Sequence, residues 1–188
     1  MPRSFESLFV EQCAPTLAGI KPASLFRCGI QSSNDIRQTV DEWDQALAQY
    51  GLRIRILKEC PHTGDCMIYV YRPEWIARLL SKEDYLLFLD SCGYLRGNTD
   101  SLLEQLSARL CLEQEYPHEI GLFLGYPLSD VIGFIKNRGW NYTCCGCWKS
   151  YGDPVEAQAY FDLCRRCTSQ YRALFEKGIT LLELVIAA

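Results

Sequence analysis

Residues 67–72 read Met-Ile-Tyr-Val-Tyr-Arg, and five consecutive apolar or aromatic side chains leave a strand no wet face. Such a segment predicts a strand covered on both sides and therefore central in its sheet. Upstream, Leu52, Ile54 and Ile56 alternate with Arg53 and Arg55, the period of two that marks a strand with one solvated face. The seven residues between the two strands, Glu-Cys-Pro-His-Thr-Gly-Asp at 59–65, are few enough to close a hairpin. Two strands do not hold together alone in water. The chain therefore needs a third strand, with residues 13–30 and 140–151 as sources, or helices laid over the pair.

Much of the remaining chain has helical spacing. Ile36, Val40, Trp43 and Leu47 predict a helix from Asn34 or Asp35 to Tyr50, stopped by Gly51. Pro73 suits the first turn of a helix through Leu80. Ser81 with Asp84 resembles a capping signal for a helix ending at Gly93, and Thr99 a cap for a helix carrying Leu102, Leu103, Leu106 and Leu110. Residues 117–124 and 128–138 read as two further helices, and Asp153-Pro154 as the cap and first turn of a long one reaching Lys177. A short last helix starts near Thr180. Segment 1–34 has no clean period and reads as loop-rich. The expected fold is α/β of the α+β kind: a small sheet with a two-stranded core at about 52–58 and 67–72, covered by several helices, with a helical C-terminal half. One domain over 1–188 is expected, with a cysteine-rich subregion at 140–170.

Hydrophobic residues make up 48% and charged ones 22% of the 188 residues, so the chain can bury a sizeable core without covalent staples. Net charge is −4 and the longest basic run is Arg165-Arg166, which argues against a nucleic-acid surface. No stretch approaches the ~20 apolar residues of a membrane helix, and Met1–Cys13 lacks a signal core. The expected home is therefore a reducing bacterial cytoplasm, where eleven cysteines serve as core residues, metal ligands or reactive thiols.

Cys144-x-x-Cys147 is followed after sixteen residues by Cys164-x-x-Cys167, within the range associated with tetrahedral zinc. Gly146 relaxes a turn carrying the first pair, while Cys164 and Cys167 share a helix face. Four thiolates close a zinc site, or less readily an iron one. A buried helix face, with the cysteines as small hydrophobes, fits the same spacing, and so does a redox disulfide. The nearby aromatics Trp140, Tyr142, Trp148 and Tyr151 suit a small core around the cysteines better than a stacking platform. Both histidines follow a proline: His62 lies two residues from Cys60, and His118 stands at a predicted helix start. An imidazole beside a thiol can generate thiolate, so Cys60 or Cys13 with His62 and His118 form a candidate catalytic group, with Lys21 as an anion binder.

Three stretches together resemble one bacterial family. They are Cys-Ala-Pro-Thr-Leu-Ala-Gly-Ile-Lys-Pro-Ala-Ser-Leu-Phe at 13–26, the segment from Cys60-Pro61-His62 to Pro73, and residues 117–135 followed by Trp148–Asp153. The family is the one catalogued as domain of unknown function 3793, and the likeness covers nearly the whole chain. It implies a single-domain cytoplasmic protein. Its pattern holds Cys13, Lys21, Cys60, His62 and His118, together with the Cys144-Cys145-Gly146-x-Trp148 turn and Cys167. Cys147 stands where that pattern has an aromatic residue, and Cys164 where it has no cysteine, which counts against a four-cysteine site common to the family.

Three functions fit the sequence. The first is a metal-binding protein with zinc or iron on Cys144, Cys147, Cys164 and Cys167. The second is a thiol-dependent redox or transfer enzyme using Cys60 or Cys13 with His62 and His118. The third is a domain that binds a protein or small-molecule partner, with inert cysteines. Whether the chain is an enzyme, and its oligomeric state, are left open by the residues alone.

Overall fold

The computed structural model describes residues 4–29, 33–61, 63–112 and 116–187. Its centre is a three-stranded antiparallel sheet in the order β1-β3-β2, formed by β1 (Ala23–Cys28), β2 (Arg53–Glu59) and β3 (Cys66–Tyr71). The strand with no wet face is the middle one, as its residues require, and the third strand comes from the first of the two expected segments. Successive residues of β3 feed opposite cores: Cys66, Ile68 and Val70 join one buried cluster, Tyr69 and Tyr71 the other. In β2, Ile54 and Ile56 face the first of these clusters and Leu57, by the ordinary alternation of a strand, the side of the two tyrosines; a bulge between Ile56 and Lys58 then shifts the register of the strand's last residues.

The first core is closed by α1 (Phe5–Leu17) and α2 (Ser33–Ala48), through Phe9, Val10 and Leu17 from one and Ile36, Val40 and Leu47 from the other. The expectation of a loop-rich N-terminal segment is corrected here. Ser4 caps α1 by accepting from the Ser7 amide, and Pro15 is accommodated in its last turn. The helix lies between the sheet and α8 (Pro154–Glu176), so Cys13 through Leu17 are all buried. A helix covered on two sides has no polar stripe and hence no 3.6-residue signature.

The second core lies under α3 (Pro73–Leu80), α4 (Glu83–Ser91), α5 (Thr99–Leu112), α6 (Ile120–Phe123) and α7 (Leu128–Lys136). The Pro73 and Asp153-Pro154 starts match the expectation, Asp153 accepting from the Val155 and Glu156 amides. Two caps differ. Ser81 bonds back to the Arg78 carbonyl instead of capping α4, and Asn98, not Thr99, accepts the amide of the first turn of α5. Residues 140–151 form a separate two-stranded hairpin of β4 (Cys144–Cys145) and β5 (Lys149–Ser150). The segment after α8 folds a 3-10 turn at Leu182–Leu184 and buries Leu181 and Leu184 in the first core, as its apolar character implies.

Arg72, at the end of β3, is 1% exposed and has no carboxylate partner among the described residues. Its guanidinium instead donates to the carbonyls of Thr16 and Leu17, at 3.0 Å each, and of Ile186, at 2.7 Å. The first two belong to the last turn of α1, where carbonyls lack helical partners and the dipole favours a cation.

Candidate thiol site

α1 ends in a Schellman turn. Gly19 takes φ +69°, its amide bonds the Thr16 carbonyl, and the Ile20 amide bonds Pro15 at 2.8 Å. The Lys21 amide also bonds Pro15, which folds the chain back against the helix it has just left. Tyr160 of α8 donates to the Ile20 carbonyl from the other side. Lys21 is thereby held with its ammonium 5.3 Å from the Tyr126 ring centre, among the sulfurs of Cys147, Cys13 and Cys164. Burial lowers its pKa and those sulfurs oppose the shift.

The hairpin loop at 146–148 carries Cys147 to the same place. Asp130, on α7 and 4% exposed, accepts from Trp148 Nε1 and from the Tyr151 amide, at 2.7 Å each, which fixes the hairpin to α7. Trp148 stacks on Tyr126 with centroids 4.7 Å apart and meets Phe161 edge-on, and the Tyr126 hydroxyl donates to the Cys147 carbonyl. Gly146 is required by proximity: a Cβ there would lie 2.2 Å from Cδ2 of Phe161. The expectation that this glycine merely relaxes a turn is thus replaced by a steric reason, the close approach of loop and helix.

That approach brings Cys147 of the loop beside Cys164 of α8. The Cys164 thiol hydrogen-bonds to the Cys147 sulfur, and this is the main reason the Cys147 pKa falls to about 6 against the opposing effect of burial; Lys21 and Arg165 add to it. The same bond, with burial, pushes the Cys164 pKa well up. Cys147 is exposed whereas Cys164 is buried. The arrangement favours the thiolate on the accessible sulfur, through a proton-bearing second thiol and a half-buried ammonium, the environment that makes a cysteine nucleophilic. Hollows open on both sides. One, of about 290 Å³, is walled by His118, Ile120, Val131, Phe134 and Trp148. The other, of about 460 Å³, is walled by Gln12, Lys21, Ser24, Arg165 and Thr168. Tyr126 and Cys147 line both.

Of the four cysteines in the spaced array, the structure brings 147 and 164 together. Cys144 faces the Gln158 side-chain oxygen at 3.6 Å, and Cys167 is buried one turn beyond Cys164, its pKa pushed up to about 11 by burial. Among the described residues no group of three or more His, Cys, Asp or Glu side chains is arranged to hold a metal ion. Cys13 is fully buried in α1 beside Lys21 and Ser24, and burial pushes its pKa far up, so it stays a thiol. Cys60 lies after β2, at the Cys28–Cys66 end of the sheet, whereas Lys21 precedes the Ala23–Tyr71 end. The six-residue strands between span roughly 17 Å. His62 lies outside the described residues. His118 sits in the turn before α6 with its ring 4.9 Å from that of Phe134, in the hollow that Cys147 lines. Cys145 and Cys147 of the hairpin line the same hollow.

Of the four nearby aromatics expected to form a small core, Trp148 does so, and Tyr151 packs its ring against Gly133 of α7. Trp140 is 72% exposed, and Tyr142 also faces solvent with the Lys149 ammonium over its ring. Asp130, Tyr126 and Tyr160 are missing from the sequence-based list. Nothing in the sequence marks an aspartate in the first turn of a helix as the anchor of a hairpin twenty residues later.

No curated protein and no solved structure matches this chain. A family profile does, over residues 9–185, and its description is Protein of unknown function (DUF3793). That span takes in α1 from Phe9 onward, Lys21, the hairpin and α8, and so the whole thiol site; the chain belongs to this family.

Proposed function

We propose that the chain is a thiol-dependent redox catalyst that reduces small disulfides at Cys147 and Cys164. The observation carrying this reading is the meeting of the hairpin loop and α8, which sets an exposed sulfur with a pKa lowered to about 6 against a buried thiol. The Cys147 thiolate attacks one sulfur of the disulfide. The substrate S–S bond breaks, one half becomes bonded to Cys147, and the other leaves as thiolate with the electron pair. Cys147 is then neutral, and the hydrogen bond that held the proton on Cys164 loses its charged acceptor. Cys164 releases that proton to water and attacks the Cys147 sulfur, expelling the second half. The substrate gains two electrons and leaves as two thiols, and a Cys147–Cys164 disulfide remains for an external dithiol to reduce.

The test is residue-resolved alkylation with iodoacetamide from pH 5 to 9, read by mass spectrometry of digested protein. Cys147 is expected to label with a midpoint near 6, well below the value of about 8.5 of a free thiol, that of a short cysteine peptide added to the same sample. Treatment with a small disulfide should then yield the linked 147–164 peptide pair, and Cys164→Ser should stop at the mixed disulfide. Labelling of Cys147 in step with the free thiol would refute the proposal.

A further inference from the structure

The two hollows flanking Cys147 differ in chemistry, and the difference bears on which disulfide the site takes. In front, Ile120, Val131 and Phe134 offer an apolar wall; of the charged groups there among the described residues, the Lys149 ammonium is already bonded to the Gly139 carbonyl at 2.8 Å and the Asp130 oxygens are engaged by Trp148 and the Tyr151 amide. Behind, Lys21 and Arg165 supply two cations, while Gln12, Ser24, Thr168 and Ser169 supply hydrogen-bonding side chains; among the described residues no acid lines this hollow. Arg165 is already paired with Asp162 on the exposed face of α8. Among the described residues no carboxylate is paired with Lys21. Of the three sulfurs around it, Cys147 is the one that carries charge.

That leaves an imbalance during turnover. While Cys147 is a thiolate it balances the Lys21 ammonium. Once the sulfur is bonded to half of the substrate, the negative charge has departed with the leaving group, and a half-buried cation stands without a partner, which is costly. An anion on the half retained by Cys147 restores the balance with a charge-assisted hydrogen bond.

We infer that the substrate is a small acidic disulfide, its carboxylate seated on Lys21 in the rear hollow and its apolar part in the front one. This rests on the thiol–disulfide reading above. A fitting probe is dithiodibenzoate, an aromatic disulfide with a carboxylate on each ring, compared with its neutral diamide on the same protein at pH 7. Taking the ratio of the two rates cancels the thiolate fraction, so a change in the Cys147 pKa caused by a variant does not enter. The native protein is expected to favour the acid by about tenfold, in line with one charge-assisted bond at a partly open site. Lys21→Met and Lys21→Gln should each bring the ratio close to that of free thiols, and Arg165→Gln, at the rim, should lower it about twofold. Arg165→Gln alters the exposed face of α8 and so keeps the comparison available if the Lys21 variants do not fold. Equal rates for acid and amide, or an acid preference that persists in the Lys21 variants, overturn the inference while leaving disulfide reduction standing. Failure of Cys147 to react with either compound overturns both.

Discussion

Replacing Cys164 with alanine removes the hydrogen bond that does most to stabilise the Cys147 thiolate, and its effect can be worked out in advance. With a pKa of about 6, Cys147 is mostly ionised at pH 7. Full return to an ordinary thiol value of about 8.5 would leave only ~3% ionised, a ~30-fold loss of nucleophile. A more basic thiolate is intrinsically more reactive, however, and a Brønsted slope of about 0.4–0.5 over roughly 2.5 units gives back ~10- to 18-fold. The two effects nearly cancel at pH 7, where the variant should be only about two- to threefold slower. At pH 6 it should be about tenfold slower, and at pH 9 about tenfold faster. The rate–pH curves of the two proteins therefore cross. The assay is loss of reduced Cys147, whether to the mixed disulfide or to the Cys147–Cys164 disulfide, with a small disulfide in excess, followed by mass spectrometry from pH 5 to 9, with far-ultraviolet circular dichroism to confirm folding. Cys164→Ser, which keeps a donor, should stay closer to the native curve. A Cys164→Ala curve lying below the native one by a constant factor, or superimposed on it, would refute the electrostatic account. Lys21 and Arg165 remain in the variant, so a full return is the upper limit of the shift.

Three further outcomes are expected. Gly146→Ala places a methyl 2.2 Å from the Phe161 ring, so loop and helix must part by more than about 1 Å; stability should fall by about 1–3 kcal/mol and the low alkylation midpoint of Cys147 should be lost, and an unchanged midpoint would show that the contact does not position the sulfur. Arg72→Met leaves the Ile186 carbonyl without its donor and the Thr16 and Leu17 carbonyls with one bond each, from the Gly19 and Ile186 amides, and should cost about 1–3 kcal/mol in urea denaturation, whereas a loss below about 0.5 kcal/mol would mean that water replaces the guanidinium freely. Zinc titration against a chromophoric chelator separates a two-sulfur from a four-sulfur site: the geometry predicts that Cys147→Ala and Cys164→Ala weaken binding while Cys144→Ala and Cys167→Ala do not, and equal losses from all four would support tetrahedral coordination.

The parts of the fold that could be read from residues are those with a single buried face or an unambiguous cap. β2, α3 and α8 announce themselves by alternation, by Pro73 and by Asp153-Pro154, and β3 by having no polar position at all. α1 hides because it is covered from two sides, so the contrast that periodicity depends on is absent. At the site, spacing pointed to the region of Cys147 and Cys164, but which of four sulfurs meet depends on how far the Phe161 ring lets the hairpin approach α8, a tertiary fact. Proximity of Cys60 to Cys13 could not be judged before the strand register set them toward opposite ends of a sheet.

The guanidinium of Arg72 is satisfied from two parts of the chain that lie far apart in order of synthesis. Its first two acceptors precede it by 56 and 55 positions, while the third, on Ile186, follows it by 114. A nascent chain can fold the sheet against the first helix and still hold an incompletely solvated charge at their junction, until residue 186 has left the ribosome. Products cut short before that point carry an interior cation lacking one acceptor, which makes them easier for proteases to open than the finished chain.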